Sequence, residues 1–387
     1  VPEGATTGPI TIGRGLLKAT SSSDFTVIPE QEVISLPAFG GWYYDSDSEY
    51  YKPCYWIGTE RTDLPLGEYE GGYAVSPTVM VGTTVYVAGG YNGGDDGWMD
   101  VPCYWAGSTL QPLHVPAEAS WSRTVGIAVN NGVIYTAGFF EYEDEMGYHV
   151  QPCYWEGTEL KLLSIPEEGD YSGGWAGAIT ISNDTIYISG SIWNDYDEES
   201  ACYWEITAGE VDRIDLPAAD ESGIYWANAI AVSGDTVYTA GSYEGYGGYG
   251  GYVPCYWTNT DEPVALTEPL EMYEYRAEAT SIAVSGGSVY IGLMETYYDE
   301  EDNYISSPWY WKDGVRTDLL DPDSNDESHF WAVAMSVIGD IVYSGGYSSP
   351  LEEKGVNATY WTGETPVIID ESDYDSMIVG GWLGMAM

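Results

Sequence analysis

Pro53-Cys54-Tyr55-Trp56 decides how this chain is read. The phrase returns as Pro102-Cys103-Tyr104-Trp105, Pro152-Cys153-Tyr154-Trp155, Ala201-Cys202-Tyr203-Trp204 and Pro254-Cys255-Tyr256-Trp257, then in drifted form as Pro308-Trp309-Tyr310-Trp311 and Ala358-Thr359-Tyr360-Trp361. Seven copies, 49 to 54 residues apart, mean an array of one repeated supersecondary unit, in which each residue is read beside its equivalents.

Upstream of each copy lies a short run rich in β-branched residues that ends in Gly, such as Val85-Tyr86-Val87-Ala88-Gly89-Gly90 or Val237-Tyr238-Thr239-Ala240-Gly241. Downstream, a turn such as Gly107-Ser108 leads to a brief strand that ends near Leu64-Pro65 or Val115-Pro116, with proline where an outer edge accepts it. The next repeat opens with a run typified by Trp226-Ala227-Asn228-Ala229-Ile230-Ala231-Val232. Four short strands in each of seven repeats predict an all-β chain, a seven-bladed β-propeller with four antiparallel strands per blade. Gly380-Gly381-Trp382-Leu383-Gly384 matches Gly173-Gly174-Trp175-Ala176-Gly177, so the C-terminal strand is predicted to complete the N-terminal blade and close the ring. Residues 1–32 read as a tail or tether and residues 33–387 as the propeller.

The Gly-Gly after the second strand, the later Tyr and Trp, and the repeat length resemble kelch repeats. The run from Val-Tyr-x-Ala-Gly to Tyr-Trp-x-Gly resembles repeats of bacterial extracellular proteins of the HAF type. The resemblance covers residues 36–387 but departs from kelch, where Tyr and Trp are separated, and only Gly89-Gly90 and Gly345-Gly346 keep the double Gly after the first copy. It implies a propeller and no particular ligand.

Sixty-two acidic residues against 11 Lys and Arg give a net charge of −51 in a chain with 16 Trp and 36 Tyr, too aromatic for a disordered acidic protein. Such a field repels phosphate backbones, which argues against a nucleic-acid partner. Five cysteines share one repeat position that Trp309 and Thr359 fill elsewhere, which suits small buried hydrophobes rather than disulfides or a metal site. No apolar run reaches membrane-spanning length, and a start at Val1 is consistent with a removed leader. These features suit a monomer that is secreted, periplasmic or anchored at the cell surface.

Strand parity places the loops between second and third strands, and those that enter the first strands, at one end of the repeats. These loops are acidic and aromatic: Tyr44-Asp45-Ser46-Asp47, Asp95-Asp96, Glu141 to Glu145, Asp195 to Glu199, Asp299 to Asp302, Glu167 to Asp170 and Asp321 to Glu327. Trp42, Trp98 and Trp193 are expected within them. Where the chain enters each first strand, Tyr73, Trp121, Trp175, Trp226, Tyr275, Trp331 and Trp382 would ring the mouth of a central channel, interrupted by Arg123, Arg276 and Glu278.

Aromatic platforms beside carboxylates suit stacking on sugars or cations. They point first to an exported, non-catalytic module that binds carbohydrate or a cationic partner. The alternative is a carboxylate-based glycoside hydrolase or polysaccharide lyase in the same mouth, with Arg123 and Arg276 orienting an anionic group. A third reading makes the acidity an adaptation to salt or calcium, the cation that oxygen-rich loops suit, although no EF-hand spacing occurs. His114, His149 and His329 have no partner at metal-ligand spacing, and neither a nucleophile elbow nor a phosphate loop is present, so no cofactor is expected and no catalytic residue is named.

Overall fold

A computed structural model describes residues 8–14, 17–25, 36–93, 100–145, 147–165, 173–193, 199–218, 224–244, 251–267, 276–298, 304–320, 328–350, 356–369 and 376–378. The chain divides into two units, Val1–Leu36 and Pro37–Met387. The first contains an antiparallel pair, Gly8–Arg14 with Leu17–Phe25. The second contains the repeats. Among the described residues no helix is long and apolar enough to cross a membrane.

In the second unit hydrogen bonding builds five four-stranded antiparallel sheets and one eight-stranded sheet. The larger one joins two successive repeats through a parallel pairing of Tyr252 with Arg276. The fourth strand of the earlier repeat is cut to Val264–Ala265, which pairs only with Tyr256 and Cys255; the Tyr252 end of the third strand lies beyond the fourth strand here as the Glu199 end does one repeat earlier. Among the described residues no sheet closes on itself. The closed seven-bladed propeller expected from the sequence, and with it the kelch-like reading, is therefore corrected to an all-β array of antiparallel sheets.

The expected register of the chain end is corrected as well. The strand beside Ala38–Asp45 is Ser376–Ile378, with Met377 opposite Trp42, whereas Trp382 to Met387 lie outside the described residues. Matching Gly380-Gly381-Trp382 to Gly173-Gly174-Trp175 displaced the strand by several residues.

Each sheet is held to its predecessor by the Trp of the repeated phrase. Buried indole N–H groups donate across repeats from Trp105 to Pro65 O (2.8 Å), Trp155 to His114 O (2.7 Å), Trp204 to Ser164 O (2.9 Å), Trp257 to Pro217 O (2.9 Å) and Trp361 to Leu320 O (2.9 Å). Each bond satisfies a donor that would otherwise be costly to bury. Trp56 is equally buried, but its N–H has no partner among the described residues. All five cysteines are buried thiols, and burial pushes the Cys153, Cys202 and Cys255 thiols up in pKa.

Within the second strands, Gly41, Gly89, Gly138 and Gly190 lie under this Trp ring and against the backbone of a neighbouring strand, which leaves no room for a Cβ. A Cβ on Gly190 would sit 2.6 Å from the Trp204 ring and would also collide with the Trp175 carbonyl. One repeat solves the packing differently. Leu293 stands opposite Ala279 and Trp309 as Gly190 stands opposite Ala176 and Cys202; there Trp309 is buried and Trp311 only partly so. The drifted phrase Pro308-Trp309-Tyr310-Trp311 is thus a paired exchange in which a larger residue takes the glycine position and the indole moves.

The first strands carry the feature that shapes the centre. Their pairing with the second strands is interrupted between Val75 and Val79, Thr124 and Gly126, Ala176 and Ala178, Ala227 and Ala229, Ala279 and Ser281, and Ala332 and Ala334. The displaced residues, Ser76-Pro77, Val125, Gly177, Asn228, Thr280 and Val333, all line one cavity of about 70 Å³. Polar members bind the neighbouring repeat: Ser76 Oγ donates to Gly40 O (2.9 Å) and Asn228 Nδ2 to Ala279 O (3.0 Å).

Candidate active site

The cavity wall contains no ionisable side chain. Charged and aromatic side chains gather on the first strands just before the bulges, Arg123, Trp175, Trp226, Glu278 and Trp331 each two residues before the displaced one. Register defines the equivalent position in every repeat: Tyr73, Arg123, Trp175, Trp226, Glu278, Trp331 and Met377, opposite Gly90, Phe139, Ser191, Ser242, Met294, Tyr347 and Trp42. Six of the predicted site residues thus share one structural position. Trp121 lies two residues upstream of it, beside Phe139 (5.5 Å), and Arg276 lies at the start of its strand. Tyr275 and Trp382 lie outside the described residues, and Met377 takes the place expected for Trp382.

Two of the three loop tryptophans are corrected. Trp42 is buried within a second strand, where it packs against Tyr51 (4.5 Å), and Trp193 ends a second strand and packs on Trp175 (4.7 Å). Trp98 lies outside the described residues. Alternation decides this outcome, because both rings fall on the inward parity of their strands.

The group that the sequence does not single out is Glu199. It opens the third strand of its repeat, opposite Trp193. The Trp175 indole N–H donates to its Oε1 at 3.1 Å, and Trp226 is a second indole hydrogen-bond donor. Burial dominates these two contacts, which favour the anion, and pushes the carboxyl up to about pKa 7. A carboxylic acid poised near neutrality between two indoles can give a proton at physiological pH and take it back.

The equivalent residue in the next repeat is Tyr252. Trp226 meets its ring edge to face at 4.8 Å, and the Arg276 guanidinium lies 5.1 Å from the ring centre. Burial raises the Tyr252 pKa; Arg276 opposes the shift, while Glu278, Glu244 and Glu199 reinforce it. Three carboxyl groups and one guanidinium therefore share the surroundings of a single phenol. Glu199 and Tyr252 stand three residues before Cys202 and Cys255, a position that only the repeat phrase could have flagged.

Arg123 occupies the shared position one repeat before Trp175. It is buried, at 7% exposure, with its guanidinium 4.9 Å from the Tyr73 ring centre and 5.9 Å from that of Trp121. Phe139 bridges the two neighbourhoods, 5.5 Å from both Trp121 and Trp175. Among the described residues no group of three or more His, Cys, Asp or Glu comes together to hold a metal ion.

No protein-family model matches the chain, and no curated protein sequence does. Solved structures do. A Mycobacterium tuberculosis puromycin-hydrolyzing peptidase matches over 87% of this chain and 52% of its own, with 12% identity and a TM-score of 0.51. The chain therefore spans about half the length of that peptidase. A polysaccharide lyase of family PL25, an ulvan lyase, matches over 91% of this chain and 92% of its own at 12% identity, with a TM-score of 0.49. The β-propeller domain of a Pyrococcus furiosus trilobed protease, described as having an open velcro topology, matches over 87% and 95% at 9% identity, also with a TM-score of 0.49. At these identities the likeness is one of fold. The expectation of a non-catalytic module is corrected to the extent that matched structures are named as enzymes, the puromycin-hydrolyzing peptidase among them.

Proposed function

We propose that this protein is a carboxylate-based enzyme that cleaves a glycan, with Glu199 as its proton donor. The observation that carries the reading is the near-neutral pKa of Glu199 between the indoles of Trp175 and Trp226. Cleavage of a glycosidic bond needs a proton delivered to a poor leaving oxygen, and a glutamic acid still protonated near pH 7 supplies it. The flanking indoles give flat apolar faces on which sugar rings stack. Polysaccharide-cleaving enzymes occur among the structures of similar shape, but Glu199 and not that likeness supports the assignment.

Hydrolysis is favoured over elimination. A lyase needs a base strong enough to remove a proton from carbon, and Tyr252, the phenol that packs on Trp226, is raised in pKa, which makes its phenolate rarer. In the hydrolytic step Glu199 gives its proton to the glycosidic oxygen as the bond to the anomeric carbon breaks. Water then adds to that carbon and yields its proton to a second carboxylate, for which Glu278 is the candidate at the shared position two repeats on from Trp175. An exported setting suits this chemistry, because polysaccharides are too large to enter a cell.

Reducing-end release from a panel of polysaccharides tests the reading. Turnover by the native protein that Glu199→Gln lowers by about 10²-fold or more supports it. Turnover indifferent to Glu199, or a product that carries the ultraviolet absorbance of an unsaturated uronate, contradicts it.

A further inference from the structure

We infer that Arg123 forms a subsite for an anionic substituent of the glycan, a uronate carboxylate or a sulfate ester; the substrate class rests on the glycan-cleaving reading, whereas the anion site rests on Arg123 itself. The arginines of this chain are few, and those on exposed strands pair with acids: Arg61 with Asp63 at 3.0 Å, Arg213 with Asp215 at 2.8 Å and Arg316 with Asp318 at 2.6 Å. Arg276 is exposed, so water serves it. Arg123 differs from all of these. It is 7% exposed, its Nε is buried without a hydrogen-bond partner, and among the described residues it pairs with no carboxylate, although the chain has 62 acidic residues.

A buried guanidinium that meets no counter-ion among the described residues is costly, and contacts with the faces of Tyr73 and Trp121 offset only part of that cost. Every equivalent position except that of Glu278 carries an uncharged side chain, so the fold itself does not require a cation there. An arginine fork held by aromatic faces is suited to a planar carboxylate or a sulfate oxygen edge. Phe139 links its neighbourhood to that of Glu199, because the ring packs on both Trp121, over which Arg123 lies, and Trp175, whose indole binds Glu199. The acidic loops repel a polyanion at long range, but salt screens that repulsion within about 10 Å, whereas a buried contact is screened much less.

Titration calorimetry in high salt tests the inference in the Glu199→Gln protein, which reads binding without turnover. The probes are an oligogalacturonate, a sulfated galactan and a neutral galactan of matched length. The expected result is a preference of about tenfold or more for an acidic over the neutral oligosaccharide, abolished by Arg123→Gln and kept in part by Arg123→Lys. Preference for the galacturonate assigns the carboxylate, and preference for the galactan sulfate assigns the ester. Arg123→Lys retains the buried charge, so its reduced preference reads the geometry even if Arg123→Gln fails to fold. Equal affinity for all three, no binding, or a preference that both substitutions leave intact overturns the inference. Cleavage of neutral glycan with no Arg123-dependent preference would sink this inference and leave the proposed function standing; an Arg123-dependent preference with no cleavage of any glycan would do the reverse.

Discussion

The indole N–H of Trp175 donates to Oε1 of Glu199 at 3.1 Å, which ties the first strand of a repeat to the head of its third strand at the mouth of the array. The bond favours the carboxylate, burial favours the acid, and burial prevails. Trp175→Phe removes the donor but keeps an aromatic face. The carboxyl then rises further, by up to about one unit if the lost bond carries ~1.4 kcal/mol. The basic limb of the pH–rate profile should move upward by that amount, and an unmoved or lowered limb would show that the bond does not set the proton affinity.

Protein stability should carry the same signature. The folded-state pKa of Glu199 lies above the ordinary glutamate value of 4.5, at about 7. The native state therefore binds more protons than the unfolded state between those limits, and stability declines as pH rises from 4.5 to 7. Glu199→Gln should flatten that decline, by at most about 3 kcal/mol across the window. Chemical denaturation at several pH values measures it, and parallel curves for the two proteins would contradict the assignment.

The tryptophans of the repeated phrase should be unequal. Trp204 donates to Ser164 O across the repeat boundary, whereas the Trp56 N–H has no partner. Both rings are buried, so Phe substitution removes similar volume from each. Trp204→Phe should cost about 1 kcal/mol more than Trp56→Phe, because it also leaves a carbonyl without its donor. Equal melting shifts would mean that the inter-repeat bond contributes nothing.

Ser376–Ile378 is short but well anchored. Ser376 N donates to Val356 O at 2.6 Å, Ala358 N donates to Ser376 Oγ at 3.0 Å, and Ile378 is fully buried. A chain ending at residue 375 should expose the edge of Ala38–Asp45 and lose about 3 kcal/mol or more, with aggregation on heating. A chain ending at 378 should keep most of the stability. Identical melts for the two truncations would refute the pairing.

The strands and the core were legible in the sequence because seven copies of one phrase report the same environment. Trp105, Trp155, Trp204 and Trp257 are buried for a reason visible in the pattern alone. Register was less legible. The bulges at Val125, Gly177 and Asn228 leave no mark in strand periodicity, and the Gly-Gly-Trp match at the chain end pointed to Trp382 where Met377 takes the position. The joining of two repeats at Tyr252 and Arg276 is a single parallel pairing between separated segments, which is a matter of hydrogen-bond partners and not of composition. Glu199 stayed hidden among many acids because its distinction is burial between Trp175 and Trp226, a tertiary property of three separated segments.

The most direct test of Glu199 as proton donor varies the leaving group. A general acid is needed when the departing oxygen is a poor leaving group and becomes superfluous when it is a good one. Wild type and Glu199→Gln should be compared on a native oligosaccharide and on the dinitrophenyl glycoside of the same sugar. The account predicts that the substitution slows the native substrate by about 10²-fold or more and the dinitrophenyl glycoside far less, with the basic limb near pH 7 lost in the variant. Equal slowing of both substrates, or a limb near pH 7 that survives the substitution, would contradict it.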